Sequence, residues 1–239
     1  MRKIKFEVGK IYHVYNRGVE KRNIFNNDSD KWRFLQGMFL FNDKDVLLST
    51  LYDIEKENKG KINFVLLKEF INKNKENKKP LVKIMADCLM PNHFHLLIEE
   101  IEENGISHFM HKIGVGYVSY FNKKYDRVGS LFQGRFKAVP IENDIQLQYI
   151  LAYINVINPG QLIEPELKEK GIIDIEKVMN FAKNYSFGTN PDYLGLRDSI
   201  IIEKGIFNDF FPIPNKYEEF IKDVLISKKY NKIDHIIFE

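Results

Sequence analysis

The sequence predicts an α+β fold: a ferredoxin-like antiparallel sheet with helices on one face, continued by a C-terminal helical extension. Three observations lead there. Apolar residues alternate or run together over short stretches near 10–17, 81–89, 93–100 and 129–142, as strands require. They recur at three- and four-residue spacing in two longer stretches, one after the Asn/Asp/Ser cluster at 26–30 and one from Ile106 to Phe121. With a further helix from about Asp144, the order is strand, helix, strand, strand, helix, strand, helix.

Each element has its own local reason. KIYHVYNR (10–17) puts His13 and Tyr15 on one strand face and Tyr12, Val14 and Asn16 on the other. A loop with Arg17, Lys21 and Arg22 follows, then a helix carrying Trp32, Phe34, Leu35, Met38 and Phe39. Residues 42–80, rich in Lys, Asn, Asp and Glu, read as an insertion with one or two helices. LVKIMADCL (81–89) is apolar enough for a central strand, Met90-Pro91-Asn92 is a tight connection, and HFHLLIEE (93–100) is the next strand. GSLFQGRFKAVPIE (129–142) reads as a strand with a glycine kink. The last core helix runs through IQLQYILAYINVI and stops at Asn158-Pro159-Gly160. The expected organisation is a core domain over 1–160 and an accessory region over 161–239.

Composition narrows the function classes. Apolar content of 44% with 29% charged residues describes an ordinary soluble chain. The single cysteine, Cys88, excludes an internal disulfide and a cysteine zinc site, and fits a reducing cytoplasm. No apolar run approaches the roughly 20 residues that span a bilayer, and MRKIKFEVGK has no apolar signal core. The expectation is a cytoplasmic protein with no membrane partner. The net charge of +3 is small, but residues 1–33 carry nine Lys/Arg against four Asp/Glu, and residues 104–142 carry six against two. The segment 159–239 reverses this, with eleven against fourteen. Positive charge in two segments suits a phosphate-binding surface, and scattered solvated lysines account for it equally well.

Two patterns carry chemistry. On a strand, residues two apart point the same way, so His93 and His95 present two imidazoles together while Phe94, Leu96 and Ile98 anchor the opposite face. Two imidazoles suit a divalent ion and leave positions for a third ligand and a substrate phosphate. The helix from 144 carries Tyr149 and Tyr153 one turn apart. A tyrosine attacks phosphorus when its phenolate is stabilised, since its ordinary pKa is about 10. Taken alone, either tyrosine is also an ordinary packing residue among the 12 in the chain.

YHVYNRG (12–18), MPNHFHLLIE (90–99), GSLFQGRFKA (129–138) and YINVINPG (153–160), in this order, resemble the REP-associated tyrosine transposases. These are relatives of the small insertion-sequence transposases of the HUH single-tyrosine class. The resemblance implies an enzyme that cleaves single-stranded DNA near a hairpin through a 5′-phosphotyrosine and can rejoin it to another strand. It implies Mg²⁺ or Mn²⁺ on His93 and His95, Tyr153 as nucleophile, and Asn158 as the third metal ligand. The family spaces its tyrosine and asparagine four residues apart, whereas Tyr153 and Asn158 are five apart. A π-bulge would absorb the extra residue. Otherwise Asn155 or a water completes the metal site, and Tyr149 is the fallback nucleophile.

Arg17, Lys21, Arg22, Arg135 and Lys137 are candidates for phosphate contacts, and Gln133 and Phe132 for contact with unpaired bases. His13 is expected to pack or hydrogen-bond near the sheet; His108, His111 and His235 are expected on helix surfaces. Asn190-Pro191-Asp192-Tyr193-Leu194-Gly195 resembles a motif that often follows the core in bacterial members; it is assigned no chemistry and is expected to pack the tail against the core or to help shape the DNA surface. The expected partner is single-stranded or hairpin DNA in the bacterial nucleoid, bound by a monomer or a homodimer. The competing expectations are a domesticated hairpin-binding protein that cuts little or nothing, and a metal-dependent phosphodiesterase that uses water.

Overall fold

The computed structural model describes residues 4–73 and 79–227. Its sheet has four antiparallel strands, β1 (Ile11–Arg17), β2 (Val82–Met90), β3 (His93–Glu100) and β4 (Lys137–Pro140), in the order β2-β3-β1-β4. That order follows from a strand-helix-strand unit entered twice. The crossover through α1 (Asp28–Phe41) leads from β1 to β2, and the one through α4 (Gly105–Lys124) leads from β3 to β4. Asn27 caps α1, its side chain accepting from the Asp30 amide, as the Asn/Asp/Ser cluster predicts.

Both faces of the sheet are buried. Val14, Phe94, Leu96 and Ile98 meet Phe34, Met38, Phe109, Ile113 and Tyr117 of α1 and α4 in the first core. Between β1 and β2, helices α2 (Thr50–Glu57) and α3 (Phe64–Lys73) add Leu51, Ile54 and Leu67 to that core. These are the helices expected in the insertion; its residues 74–78 lie outside the described residues, as does His235. His108 and His111 are exposed on α4.

The opposite face holds a second core. Met85, Cys88, Met90 and Leu97 pack there against α5 (Asp144–Ala152), the π-helix Tyr153–Ile157 and its continuation α6 (Asn158–Gly160). The C-terminal helices join the same core: α7 (Leu167–Lys170), α8 (Ile175–Asn184), α9 (Asn190–Tyr193), α10 (Phe207–Phe210) and α11 (Pro214–Ser227).

The sheet departs from expectation in two places. Strand β2 lies at the edge, not the centre. Its apolar character has another cause: the C-terminal chain runs along the free edge, with Leu89 N donating to Phe187 O at 2.8 Å and Thr189 N to Asp87 O at 3.1 Å. An edge strand covered in this way is as buried as a central one. The strand expected over 129–142 is shortened to Lys137–Pro140, because Gly129 and Gly134 take positive φ of 87° and 153°. Among the described residues no helix is long and apolar enough to cross a membrane.

Candidate active site

The second face of the sheet carries the candidate chemistry. In the β1–β3 register, Tyr15 stands opposite His95 and Arg17 opposite His93. Alternation therefore sets His13, Tyr15 and Arg17 on the same face as the two candidate ligands. His95 is buried, and its Nδ1 lies 2.7 Å from Nε2 of the equally buried His13. The rings of His13, Tyr15 and His95 form a near-parallel group with centroids 5.0–5.6 Å apart. Sequence alone put His13 near the sheet but not on His95; the strand register, which a sequence does not print, makes that contact.

His93 is half-buried and held at both nitrogens. Nδ1 is 2.6 Å from Asn92 Oδ1, and Nε2 is 3.1 Å from Asn158 Oδ1. A neutral imidazole carries one N–H, so two oxygens facing it leave one nitrogen lone pair against an oxygen lone pair. A divalent cation between Nε2 and Oδ1 relieves that conflict. Two ligands at about 2.1 Å from one octahedral ion lie about 3.0 Å apart, close to the separation seen. Asn158 Nδ2 is buried and without a hydrogen-bond partner, so the amide is not held there by its own nitrogen. The donor set His93, His95 and Asn158 thus fits a hard or borderline divalent ion. Among the described residues, no three His, Cys, Asp or Glu side chains cluster as a metal site.

The extra residue between Tyr153 and Asn158 is absorbed by a π-helix over Tyr153–Ile157. Asn158 N donates to Tyr153 O, a five-residue bond that stacks the two residues one turn apart on one side of the helix. Pro159 supplies a local cause. It has no N–H to give to the Asn155 carbonyl, and its ring would press on that carbonyl in a regular α-helix. Asn155, the alternative ligand, is instead buried in hydrogen bonds to Thr189 and Tyr217.

Tyr153 meets His95 edge-on, ring centroids 5.3 Å apart, and is fully buried. Lys168 Nζ lies 5.2 Å from its ring centroid. Tyr149 stacks on Phe220 of α11, with ring centroids 6.2 Å apart.

His93 and His95 open into a cleft of about 700 Å³ that Arg17, Lys21, Gln133, Arg135 and Lys137 also line. The Gly134 turn brings these residues together, since Gln133 N donates to Arg17 O at 2.9 Å and Asn16 Nδ2 to Gly134 O at 3.1 Å. The Arg17 guanidinium also donates to Gln133 Oε1. Arg22 points elsewhere, paired with exposed Glu20 at 2.8 Å. Phe132 is buried against Phe94, a core position and not a base platform. Burial raises the Tyr15 pKa, an effect that the nearby Arg17 charge opposes, so this hydroxyl stays neutral at physiological pH.

A basic cleft over a histidine pair, with a tyrosine and an asparagine stacked behind it, invites comparison with known proteins. Residues 50–156 match the IS200-like transposase family. That stretch takes in the blocks at 90–99 and 129–138 and the start of the one at 153–160, with His93, His95 and Tyr153, and ends two residues before Asn158. Among solved structures, a REP-associated tyrosine transposase bound to a REP hairpin is similar at 13% identity, over 85% of this chain and 96% of that one, with a TM-score of 0.47. A tRNA(His) guanylyltransferase from Saccharomyces cerevisiae is similar at 10% identity, over 78% and 76% of the two chains, with a TM-score of 0.31. Neither likeness is close enough to carry function. No curated protein sequence matches the chain.

Proposed function

We propose that this transposase-like protein cleaves single-stranded DNA near a hairpin by a tyrosine mechanism that depends on a divalent ion. The observation that carries the reading is the approach of Asn158 Oδ1 to His93 Nε2, 3.1 Å, from a π-helix that also stacks Asn158 on Tyr153. It joins the two sequence signals, on separate elements, into one site.

His93, His95 and Asn158 would hold Mg²⁺ or Mn²⁺, which when bound supplies positive charge to the scissile phosphate. Arg17 and Lys21, with Arg135 and Lys137 across the cleft, bind the flanking phosphates and set the strand's direction. Gln133 is exposed beside them and offers an amide to an unpaired base. The Tyr153 phenol loses its proton and its oxygen forms a bond to phosphorus. The phosphorus–O3′ bond breaks, and the departing 3′ oxygen takes a proton. The 5′-phosphotyrosine keeps the energy of the bond it replaced, so a second 3′-OH can reverse the step on another strand.

A second reading has its own observation. Tyr153 is fully buried, and Gln161, Leu162, Pro165 and Glu169 line the cleft beside the histidines. A protein that keeps this arrangement permanently would bind hairpins and leave them whole. Incubation with hairpin-bearing single-stranded oligonucleotides from beside the gene, in Mn²⁺, followed by denaturing electrophoresis, decides between them. A covalent adduct in the wild type, absent in Tyr153→Phe and His93→Ala, supports the proposed mechanism. Cleavage without adduct that survives Tyr153→Phe means hydrolysis, and tight binding without cleavage means the binder.

A further inference from the structure

The π-helix is held from outside the family match. Asn155, in its middle, is fully buried and bonds two polar groups of the C-terminal chain. Thr189 Oγ1 donates to Asn155 Oδ1 at 2.6 Å, and Asn155 Nδ2 donates to Tyr217 OH at 2.9 Å. The Tyr217 hydroxyl in turn donates to Asn190 Oδ1 at 2.7 Å. Thr189, Asn190 and Tyr217 are at most 4% exposed. Every link is therefore buried, where an unmade hydrogen bond is costly.

The network has a fixed base. The Asp87 amide donates to Thr189 Oγ1 at 3.2 Å, tying it to β2. Tyr193 OH donates to Met85 O at 2.9 Å, and Arg197 binds the buried Asp192 carboxylate while donating to the carbonyls of Ser186 and Gly188. The Asn190-Pro191-Asp192-Tyr193 motif is thus bolted to the sheet, and it presents Asn190 to Tyr217 and, through it, to Asn155.

A π-helix in isolation is less favourable than an α-helix, so something must hold it. We propose that Thr189, Asn190 and Tyr217 are positioning residues: they clamp Asn155 and so hold the widened turn that stacks Asn158 on Tyr153. The C-terminal region on this view sets the geometry of the active site from the far side of the helix. The inference rests on the roles given above to Tyr153 and Asn158, and its test separates the two.

Wild type, Tyr217→Phe, Thr189→Val, Thr189→Ser and Val224→Ala are compared in the full chain. Amide exchange over 153–158, Mn²⁺ binding by calorimetry and adduct formation with the hairpin oligonucleotides are measured for each. Val224 is buried in the same core at 1% exposure and has no polar side-chain atom, so its truncation reads ordinary destabilisation. The expected result is exchange about tenfold faster over 153–158 in Tyr217→Phe and Thr189→Val. Mn²⁺ affinity in those two falls about tenfold, the size of an outer-shell effect. Thr189→Ser, which keeps the hydroxyl, restores both, and Val224→Ala leaves Mn²⁺ affinity within about twofold. Wild-type affinity and exchange in Tyr217→Phe and Thr189→Val would overturn the proposal, as would equal losses in Val224→Ala. If Tyr217→Phe does not fold, the Thr189 pair decides. Should the wild type bind no Mn²⁺ and form no adduct, the catalytic reading fails, while exchange over 153–158 still shows whether the network holds the helix.

Discussion

His13 and His95 share a buried hydrogen bond of 2.7 Å between Nε2 of the first and Nδ1 of the second. A histidine that binds a metal through one nitrogen is oriented by what the other nitrogen meets. In the proposed metal site, His13 would accept the Nδ1 proton of His95 and leave Nε2 as the ligand atom. Replacement of His13 by Ala is expected to weaken Mn²⁺ binding about 10–100-fold, with His13→Gln less affected because its side chain keeps an acceptor. Titration calorimetry reads this directly, without DNA. Unchanged affinity in His13→Ala would show that the pair is packing only.

Asn155 and Asn158, three residues apart, should differ in what their loss does to stability. Asn158→Ala removes an amide oxygen 3.1 Å from His93 Nε2 and 3.3 Å from Gln161 Nε2, and is expected to cost Mn²⁺ affinity, while its Nδ2 has no hydrogen-bond partner to lose. Asn155→Ala strands the Thr189 and Tyr217 hydroxyls in the core. It should lower unfolding stability by about 1–3 kcal/mol, measured by urea denaturation in EDTA.

Asp87 is expected to make stability fall as pH rises. Burial lifts its carboxyl from 3.8 to about 7, with Asp192 adding to the rise and Arg197 opposing it. A carboxyl raised in the folded state holds more protons there than in the unfolded chain, so unfolding free energy drops as pH climbs from about 4 to about 7. The full drop is about 4 kcal/mol, and stability is level above the folded pKa. Asp87→Asn is expected to flatten this slope and to raise the melting temperature at pH 7.5. A variant with the wild-type pH profile would show that Asp87 is not the titrating group.

The basic residues of the cleft should differ from their neighbour outside it. Alanine at Arg17, Lys21, Arg135 or Lys137 is expected to weaken hairpin binding regardless of loop sequence and to reduce the salt slope of log K by about one each. Arg22→Ala, removing a side chain paired with Glu20, should leave that slope unchanged. Fluorescence anisotropy across a salt series distinguishes the two groups.

Most of the fold was legible because its signals are local. Strand alternation in KIYHVYNR and HFHLLIEE, the Asn27 cap and the stripe on α4 are written in neighbouring residues. The π-helix is one of two alternatives, raised by a spacing of five between Tyr153 and Asn158 where the resembled family has four. What depends on distant pairing was not legible. The edge position of β2 follows from how strands order in space, and its apolar sequence reads like that of a central strand. Phe132 looks like a base contact in sequence because it stands beside Gln133, ahead of Arg135 and Lys137. Its ring turns into the core against Phe94. The Asn155 contacts to Thr189 and Tyr217 span 34 and 62 residues, beyond any motif.

In the proposed mechanism Tyr153 becomes joined to DNA. The most direct measurement is mass spectrometry of the protein after reaction with the hairpin oligonucleotides in Mn²⁺, with nuclease trimming, proteolysis and fragmentation to locate the modified residue. A nucleotide attached through phosphate to Tyr153 is the expected result. DNA attached to Tyr149, or cut DNA with every tyrosine unmodified, would contradict the account.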